Sequence, residues 1–337
     1  MGNELVSGPA TRTGALMLMG RKPVLAAVAA AVAASASPAW ADIELGEGLS
    51  VTGFVDMSFY NEDWEGSPAS KSFGIDQVEV DFLYTGSNGI SAQVDIEYGE
   101  SGSDLGAGDD TFVEQAFITK KFNDSFSIKA GRFLSYSGWE TEEPTGLFQY
   151  SGTGYGQYFY GYYQQGISAY YDGGKFAIMG SVVNDVFGWT GGPTQYDTDD
   201  LGFEVGIALM PVEGLTAKAF YMSDDKTGYD VINAWVSYSY GGFTFAGEYN
   251  DADYGDDGEG DGFLLMANYA SGPWGITLRY HDFEIKNDLG TIDEGKGFTI
   301  SPSYAVGDNL LLVAEYRRDK AFGAKGNMFA LEALFTF

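Results

Sequence analysis

The chain of 337 residues contains no cysteine, one histidine and few basic residues. Without cysteine it has no disulfide framework and no thiolate chemistry. Its 48 acidic residues outnumber the 18 lysines and arginines, so that the net charge is −30. Because such a charge repels phosphate backbones, nucleic acid is excluded as a partner. A hydrophobic content of 45% argues against a disordered chain.

Beyond residue 41 the chain also lacks an apolar run of about 18 residues, the length that a membrane-spanning helix needs. Near its start, the basic pair Arg21-Lys22 precedes a shorter apolar run, Val24–Ala34, and the small-x-small sequence Ala39-Trp40-Ala41 follows. These features are typical of a cleavable signal peptide. We therefore predict that residues 1–41 are removed on export and that residues 42–337 form one domain.

What recurs instead is strict alternation of apolar and polar residues over about ten positions. In Ile90–Tyr98 the even-numbered residues are apolar and the odd-numbered residues are polar, and Val51–Phe59, Phe243–Tyr249 and Trp274–Tyr280 are similar. A period of two places one apolar and one polar face on a β-strand. A strand of about ten residues, when tilted, crosses a bilayer.

The alternating segments are joined by two kinds of connection. Short glycine-rich turns, such as Thr85–Gly89 and Asp172–Gly174, alternate with long polar connections. The predicted long connections are 61–72, 99–110, 135–161, 184–199, 251–259 and 284–295. The predicted strands begin near residues 49, 75, 89, 111, 125, 162, 175, 200, 214, 228, 242, 260, 273, 296, 309 and 327.

Bacterial outer-membrane barrels have this asymmetry, with short periplasmic turns and long outer loops. The sequence therefore predicts an all-β protein, a transmembrane antiparallel up-and-down β-barrel of about 16 strands in the outer membrane of a Gram-negative bacterium. A soluble all-β fold is the alternative. Aromatic residues six positions apart on the apolar faces, as in Phe243 and Tyr249, agree with the aromatic girdles of such barrels.

The last residues of the chain alternate up to Phe337 and resemble the assembly signal of outer-membrane barrels. We therefore expect Phe337 to belong to such a signal. The expected partners are the barrel-assembly machinery, outer-membrane lipid and lipopolysaccharide.

Several short stretches of the first half resemble the OmpL-like β-barrel porin family. They are Gly53–Asp56, Val113–Phe117, Ala130–Phe133 and Gly138–Glu140. The pattern of strands and turns is similar over most of the chain, and specific residues are similar from about 49 to 172; the trimeric general porins are close competitors. The resemblance implies a porin that passes small hydrophilic solutes, with a homotrimer as one assembly. We expect no cofactor.

In porins of sixteen strands, the loop after the fifth strand folds into the lumen and narrows it. The resemblance therefore implies this role for residues 135–161, and an external cap packed by its own aromatic residues is the alternative. The acidic side of the constriction would be Glu140, Glu142 and Glu143, and the loop aromatics would be Tyr150, Tyr155, Tyr158 and Tyr160.

The basic side of the constriction is expected to consist of Arg279, Arg317 and Arg132, although Arg132 falls on the apolar face of its strand unless a bulge intervenes. Carboxylates that face arginines across a pore create a transverse field that orients polar solutes.

Strand parity directs many carboxylates towards the lumen. They are Asp56, Glu79, Asp81, Asp95, Glu97, Glu204, Glu248, Glu315 and Glu332, against the bases Lys129, Lys218, Arg279 and Arg317. Because an excess of fixed negative charge concentrates cations in a narrow aqueous path, we predict modest cation selectivity.

Other functions and sites are weighed against this interpretation. A sugar-specific channel and a plugged adhesive or structural barrel remain open alternatives. No enzymatic activity is expected, since His281 is the single histidine and no G-x-S-x-G motif occurs. No metal site is expected beyond a weak calcium candidate at Asp251, Asp253, Asp256 and Asp257, for which an acidic flexible loop is the alternative.

Overall fold

The computed structural model describes residues 43–99, 111–140, 143–187 and 200–337. The predicted signal peptide, residues 100–110 and 188–199, and Glu142 lie outside the described residues. Among the described residues, no helix is long and apolar enough to cross a membrane.

The described residues form antiparallel strands and very little helix. The strands are β1 (Ile43–Gly46), β2 (Leu49–Trp64), β3 (Ser70–Thr85), β4 (Ile90–Gly99), β5 (Thr111–Lys121), β6 (Phe126–Leu134), β7 (Tyr163–Asp172), β8 (Phe176–Val183), β9 (Gly202–Leu209), β10 (Leu215–Asp224), β11 (Tyr229–Tyr240), β12 (Phe243–Asp253), β13 (Glu259–Ser271), β14 (Trp274–Asn287), β15 (Gly290–Val306), β16 (Leu310–Ala321) and β17 (Ala324–Thr336).

Strands β2 to β17 close into a barrel of sixteen strands, as predicted. Each strand pairs with its neighbour in the chain, and β17 pairs with β2 to close the ring. Phe337 extends this seam, since it exchanges two backbone hydrogen bonds of 3.0 Å with Gly53. Closure leaves no unpaired strand edge among these sixteen strands. The assembly role of Phe337 stays a prediction.

The period-two pattern sorts side chains between the two faces of the barrel. On β4, Val94 and Ile96 are exposed on the outside, whereas Asp95 and Glu97 are buried on the inside. Exposed aromatic rings form rows on the outer face, and the rings of Phe243 and Tyr269 on paired strands lie 4.4 Å apart. The outside of the barrel is therefore apolar and the inside is largely polar.

Three of the predicted long connections are wrong, because the strands continue through them. β2 ends at Trp64 and β3 begins at Ser70, in place of a loop over 61–72, while 251–259 and 284–295 shrink to five and two residues between paired strands. These polar extensions pair with their neighbouring strands and carry ion pairs such as Lys286 with Glu259 at 3.3 Å. The polar composition indicated loops, but backbone pairing does not require apolar side chains.

Residues 135–162 connect β6, the fifth strand of the barrel, to β7. We call this segment the inner loop; its described part contains a single turn of 3₁₀-helix at Pro144–Gly146 and a short helix α1 at Gly156–Phe159. Its polar groups bind side chains on the inner faces of β9, β11, β12, β14 and β16. The loop therefore lies inside the barrel, and the external cap considered from the sequence is wrong.

Candidate functional site: the lumen and its inner loop

The inner loop is first attached to the barrel wall at Glu204 on β9. The carboxylate of Glu204 accepts hydrogen bonds from the backbone N–H of Tyr136 and the hydroxyl of Ser135, both at 2.9 Å, and from Gln164 at 3.1 Å. The hydroxyl of Tyr136 binds Ser168 at 2.9 Å, and burial raises the pKa of Tyr136 to about 12. The start of the loop is thus fixed close to the wall.

A second attachment is Glu248 on β12, which binds three residues of the loop. It accepts hydrogen bonds from the backbone N–H of Trp139 at 2.7 Å, from the hydroxyl of Tyr155 at 2.6 Å and from the hydroxyl of Tyr160. Burial, together with the nearby carboxylate of Glu248, raises the pKa of Tyr155 and of Tyr160 well above the ordinary value. Both tyrosines therefore stay protonated and continue to donate to Glu248.

Glycine is required where the loop passes between these two attachments. Gly138 has a φ of +90°, and a Cβ atom there would lie 2.7 Å from the ring of Tyr160. Its N–H donates to Asn233 on β11 at 3.1 Å, and Asn233 in turn donates to Glu248 at 2.7 Å. The close approach of the loop backbone to the wall depends on the missing side chain.

Arg279 on β14 contacts the loop directly. Its Nη1 lies 2.5 Å from Oε1 of Glu140 and also donates to the backbone carbonyl oxygen of Ser151, while Nη2 donates to Thr299 at 3.2 Å. The other oxygen of Glu140 accepts the backbone N–H of Thr153 at 2.7 Å. The sequence placed Glu140 and Arg279 on opposite sides of a gap; in the structure they form a buried ion pair.

Arg317 and Glu315, two neighbouring inner residues of β16, bind the same turn of the loop. Arg317 donates to the backbone carbonyl oxygen of Gly152 at 2.5 Å and forms an ion pair with Asp319 at 2.7 Å. Glu315 accepts hydrogen bonds from the backbone N–H and the hydroxyl of Ser151. The two predicted pore arginines are therefore engaged in holding the loop.

Apolar residues of the loop pack against the inner face of β13 and β14. The rings of Tyr155 and Phe159 are fully buried, and Tyr155 lies 6.1 Å from Phe283. Leu264 and Ile285 extend this apolar surface on the inside of the wall. Leu264, Phe283 and Ile285 were not predicted to contribute to the site. The signal that could have found such residues is the run Phe263-Leu264-Leu265-Met266, in which apolar side chains occupy both faces of the strand.

The remaining predicted loop aromatics bind elsewhere. The hydroxyl of Tyr158 donates to Asp293 at 2.5 Å, and the hydroxyl of Tyr150 lies 3.0 Å from that of Ser58 on β2. The loop thus extends across the interior towards β2.

Strands β2 to β5 carry a different inner surface, which we call the acidic wall. Its carboxylates are Asp56, Glu79, Asp81, Asp95, Glu97 and Glu114. Glu79 lies directly opposite Glu97 in the register, and Asp81 directly opposite Asp95. Asp95 also accepts hydrogen bonds from Gln93 at 2.9 Å and from Gln115 at 2.8 Å.

Glu114 is the residue of this wall that parity could not identify. A register shift places Gln115 opposite Asp95 and Val113 opposite Ile96, so that Glu114 is the extra residue of a β-bulge. Both Glu114 and Gln115 are buried as a result. Nothing in the local sequence marks this bulge.

The third predicted arginine, Arg132 on β6, lies eight strands away from Arg279. Its Nε donates to the backbone carbonyl oxygen of Glu114 at 2.8 Å, and its guanidinium lies 5.4 Å from the centre of the Tyr163 ring. The structure therefore does not group Arg132 with Arg279 and Arg317.

Two lysines face the lumen on the side of β6 to β10. The ammonium of Lys129 lies 4.4 Å from the ring centre of Phe133 and 4.7 Å from that of Tyr136, and Lys218 lies 4.9 Å from the ring of Trp235. These cation–π contacts hold both basic groups against aromatic rings of the interior.

The weak calcium candidate is not assembled in the structure. Asp251, Asp253, Asp256 and Asp257 are all exposed, and their oxygens do not form a group of three within ligand distance. Asp257 instead accepts a hydrogen bond from Tyr229 at 2.6 Å, and Asp253 accepts the N–H of Gly255 at 2.9 Å.

His281 is buried on β14, with its Nε2 3.9 Å from Asp319 and its ring 6.4 Å from that of Tyr155. It thereby belongs to the surface that supports the loop.

Comparison with known proteins identifies the family of the chain and other proteins with the same fold. The family described as Gram-negative porin matches residues 26–323. No curated protein sequence matches the chain significantly.

Solved structures of the same fold include an anion-selective porin from Comamonas acidovorans, with 15% identity, a TM-score of 0.64 and coverage of 86% of this chain and 99% of that one. Salmonella typhi OmpF in complex with daunomycin has 11% identity, a TM-score of 0.64 and coverage of 88% and 100%. A trimer form of in-vitro folded OmpT from Vibrio cholerae has 14% identity, a TM-score of 0.58 and coverage of 86% and 100%.

Proposed function

The chain belongs to the family of Gram-negative porins and forms an outer-membrane channel, and from this premise we propose that it passes small hydrophilic solutes and ions by passive diffusion with a modest preference for cations. The observation that carries the proposal is the inner loop, held against β9, β12, β14 and β16 by hydrogen bonds and an ion pair. A loop held inside the barrel in this way narrows the lumen, and solutes would pass through the space that the loop leaves.

The charge of the remaining path supports the cation preference. Glu140 and Arg279 neutralise each other in a buried pair, and Arg317 is paired with Asp319. The carboxylates of the acidic wall, which are buried on the inner faces of four adjacent strands, then add fixed negative charge to the interior. Fixed negative charge in a narrow path raises the local concentration of cations, and salt screens it over a Debye length of about 10 Å at 0.1 M.

Two finer points of the proposal concern the specificity of the channel and its assembly. A sugar-specific channel would need aromatic rings along the path, but Tyr155 and Phe159 are buried against the wall. This favours a general channel over a specific one. A homotrimer is the assembly that we propose, supported by the trimer form of the Vibrio cholerae protein.

The porin family favours a channel over an enzyme. The absence of a cofactor and the lack of enzymatic activity accordingly remain parts of this proposal, together with lipopolysaccharide and the barrel-assembly machinery as partners.

The test is planar-bilayer conductance of the protein purified from outer membranes, measured under a tenfold gradient of KCl. We expect stepwise, nearly ohmic conductance with a reversal potential that favours K⁺ and that shrinks as salt is raised at a constant ratio. A folded barrel that does not conduct would contradict the channel and favour a plugged, adhesive role. A reversal potential at zero or favouring chloride would contradict the selectivity alone.

A further inference from the structure

Three lysines form a row across the outer face of β15, β16 and β17, which we call the lysine row. In the register of these strands Lys296 lies directly opposite Lys320, and Lys320 lies directly opposite Lys325. All three residues are exposed. Because acidic residues outnumber basic ones 48 to 18 in this chain, three adjacent bases are an exception to its general charge.

The charge of the lysine row is balanced at its two ends but not in its middle. Lys296 forms an ion pair with Asp282 at 3.3 Å, and Lys325 lies 4.0 Å from Glu65. Among the described residues, no carboxylate pairs with Lys320 and no acceptor binds its ammonium group. Like charges directly opposite each other destabilise a sheet. An anion from outside the chain would therefore stabilise the barrel at this row.

The lysine row borders a belt of aromatic rings on the same outer face. Phe298, Tyr316 and Phe329 lie two to four residues from the lysines, closer to the middle of the barrel wall, and all three rings are exposed. Arg318 lies between the row and Tyr316 and adds a fourth exposed basic group. Aromatic rings of this kind mark the interface between hydrocarbon and lipid headgroups. The lysines are thereby placed at the height of the headgroups.

The end of the barrel that carries the lysine row is the outer end. Its short connections β14–β15 and β16–β17 lie at the same end of the antiparallel barrel as the inner loop, whereas the opposite end has short turns such as that between β7 and β8. In outer-membrane barrels the long connections face outwards and the short turns face the periplasm. The headgroups beside the row are therefore those of the outer leaflet, where lipopolysaccharide carries phosphate groups.

We propose that the lysine row binds a phosphate group of lipopolysaccharide on the outer surface of the barrel. The ammonium of Lys320 supplies the unpaired charge, and Lys296 and Lys325 add further donors on each side, because ammonium groups donate charge-assisted hydrogen bonds to phosphate oxygens. The acyl chains of the same lipid lie against the rings of Phe298 and Phe329. The site goes beyond the proposed channel, since it lies on the outer surface and not in the lumen.

The test is titration of the detergent-solubilised, delipidated barrel with purified lipopolysaccharide, followed by native mass spectrometry, which counts bound lipids and chains together. EDTA is present, so that divalent cations do not bridge phosphates to outer carboxylates such as Asp261. We expect Lys320→Gln to weaken binding about fivefold, since a base near an anionic lipid surface contributes about 1 kcal/mol. Lys320→Arg keeps the charge and should bind within about twofold of the wild type.

The matched control is Lys286→Gln, which removes another accessible lysine at the outer end. In the register Lys286 faces Glu259 and Thr291 and no other base, and it forms an ion pair with Glu259 at 3.3 Å. Its substitution should change binding by less than about twofold. A second probe is the same lipopolysaccharide after enzymatic removal of its phosphates, which should bind the wild-type barrel at least about fivefold more weakly.

Three results would overturn the site. They are equal binding of the two lipid forms, equal weakening by Lys320→Gln and Lys286→Gln, and a change in the number of chains per particle without a change in bound lipid, which would make the row a contact between copies of the chain. A barrel that binds the lipid through Lys320 without conducting would refute the proposed channel and keep the site. A conducting barrel whose lipid binding does not depend on Lys320 would do the reverse.

Discussion

On the inner faces of β9, β12 and β16, the carboxylates of Glu204, Glu248 and Glu315 each accept hydrogen bonds from the inner loop. On β3 and β4, by contrast, Glu79 and Asp81 lie directly opposite other carboxylates. We call the first surface, together with the inner faces of β13 and β14 that also contact the loop, the loop-bearing wall. Its charges position the inner loop. The acidic wall carries its carboxylates on the inner face of the barrel, where they are buried beside one another. The difference teaches that the same residue type at the same strand parity positions the inner loop on one side of a barrel and forms facing carboxylate pairs on the other.

The two surfaces differ in how their buried carboxylates are compensated. A buried carboxylate costs several kcal/mol unless hydrogen bonds or an opposite charge compensate it. The loop provides N–H and O–H donors over the loop-bearing wall, and its aromatic rings cover Leu264 and Phe283 there. On the acidic wall, side-chain amides provide part of this compensation, since Gln93 and Gln115 both donate to Asp95.

The largest effect is expected from Arg279→Met, which would break the loop-bearing wall. Removing the guanidinium leaves Glu140 buried without its ion-pair partner, a loss of about 3–5 kcal/mol in loop attachment. Single-channel conductance in planar bilayers should rise and become noisier as the loop leaves the wall. Arg318→Met is the control. Arg318 also lies on a strand, next to Arg317 in the chain, but its side chain is exposed. An unchanged conductance in Arg279→Met would show that Arg279 does not hold the loop.

A smaller effect is expected from the single substitution Tyr155→Phe. Its hydroxyl donates to Glu248 at 2.6 Å, and a hydrogen bond to a charged group contributes about 1.5–3 kcal/mol. Limited proteolysis of the folded barrel should cleave the inner loop faster, while the strands remain protected. Tyr316→Phe serves as control, since its hydroxyl binds Asn327 on the exposed face at 2.8 Å. Equal cleavage rates in all variants would contradict this role for Glu248.

The smallest effect is expected on the acidic wall, from Asp81→Asn combined with Asp95→Asn. Removing the facing pair should lower the ratio of K⁺ to Cl⁻ permeability about twofold at 0.1 M salt and less at higher salt, because ions screen the remaining charge. Stability should stay equal or rise by about 0.2–1 kcal/mol, since a cross-strand repulsion is lost. Glu213→Gln combined with Asp308→Asn, both at exposed turns, is the control, because it removes the same number of charges. A ratio unchanged by the double substitution would show that ions do not pass along this wall.

Much of the fold could be predicted because a barrel strand obeys a local rule. The alternation in Ile90–Tyr98 assigns each side chain to the inside or the outside without reference to the rest of the chain. Short turns such as Asp172–Gly174 then separate strands that can only pair with their neighbours. The predicted strand beginnings lie within two residues of the observed ones, except at β3, β15 and β17, where polar pairing extends beyond the apolar pattern.

The candidate site was predicted only in part. The sequence identified Glu140, Arg279 and Arg317 as groups of the interior, but their direct contacts depend on how the inner loop folds. Arg132 could not be assigned because neighbouring strands and the bulge at Glu114 decide its surroundings. The role of Phe337 in assembly and the membership of an OmpL-like subfamily stay predictions.

The sequence by itself determined the strands, their inner and outer faces, the acidic character of the interior and the position of the loop after the fifth barrel strand. These properties depend on residues that are close in the chain, so that period and composition are enough to read them. Only the tertiary structure decided which carboxylates bind the loop, as Glu248 does, and which face one another, as Glu79 and Glu97 do. Closure of the sheet brings together residues more than a hundred positions apart, and no local pattern records those distances.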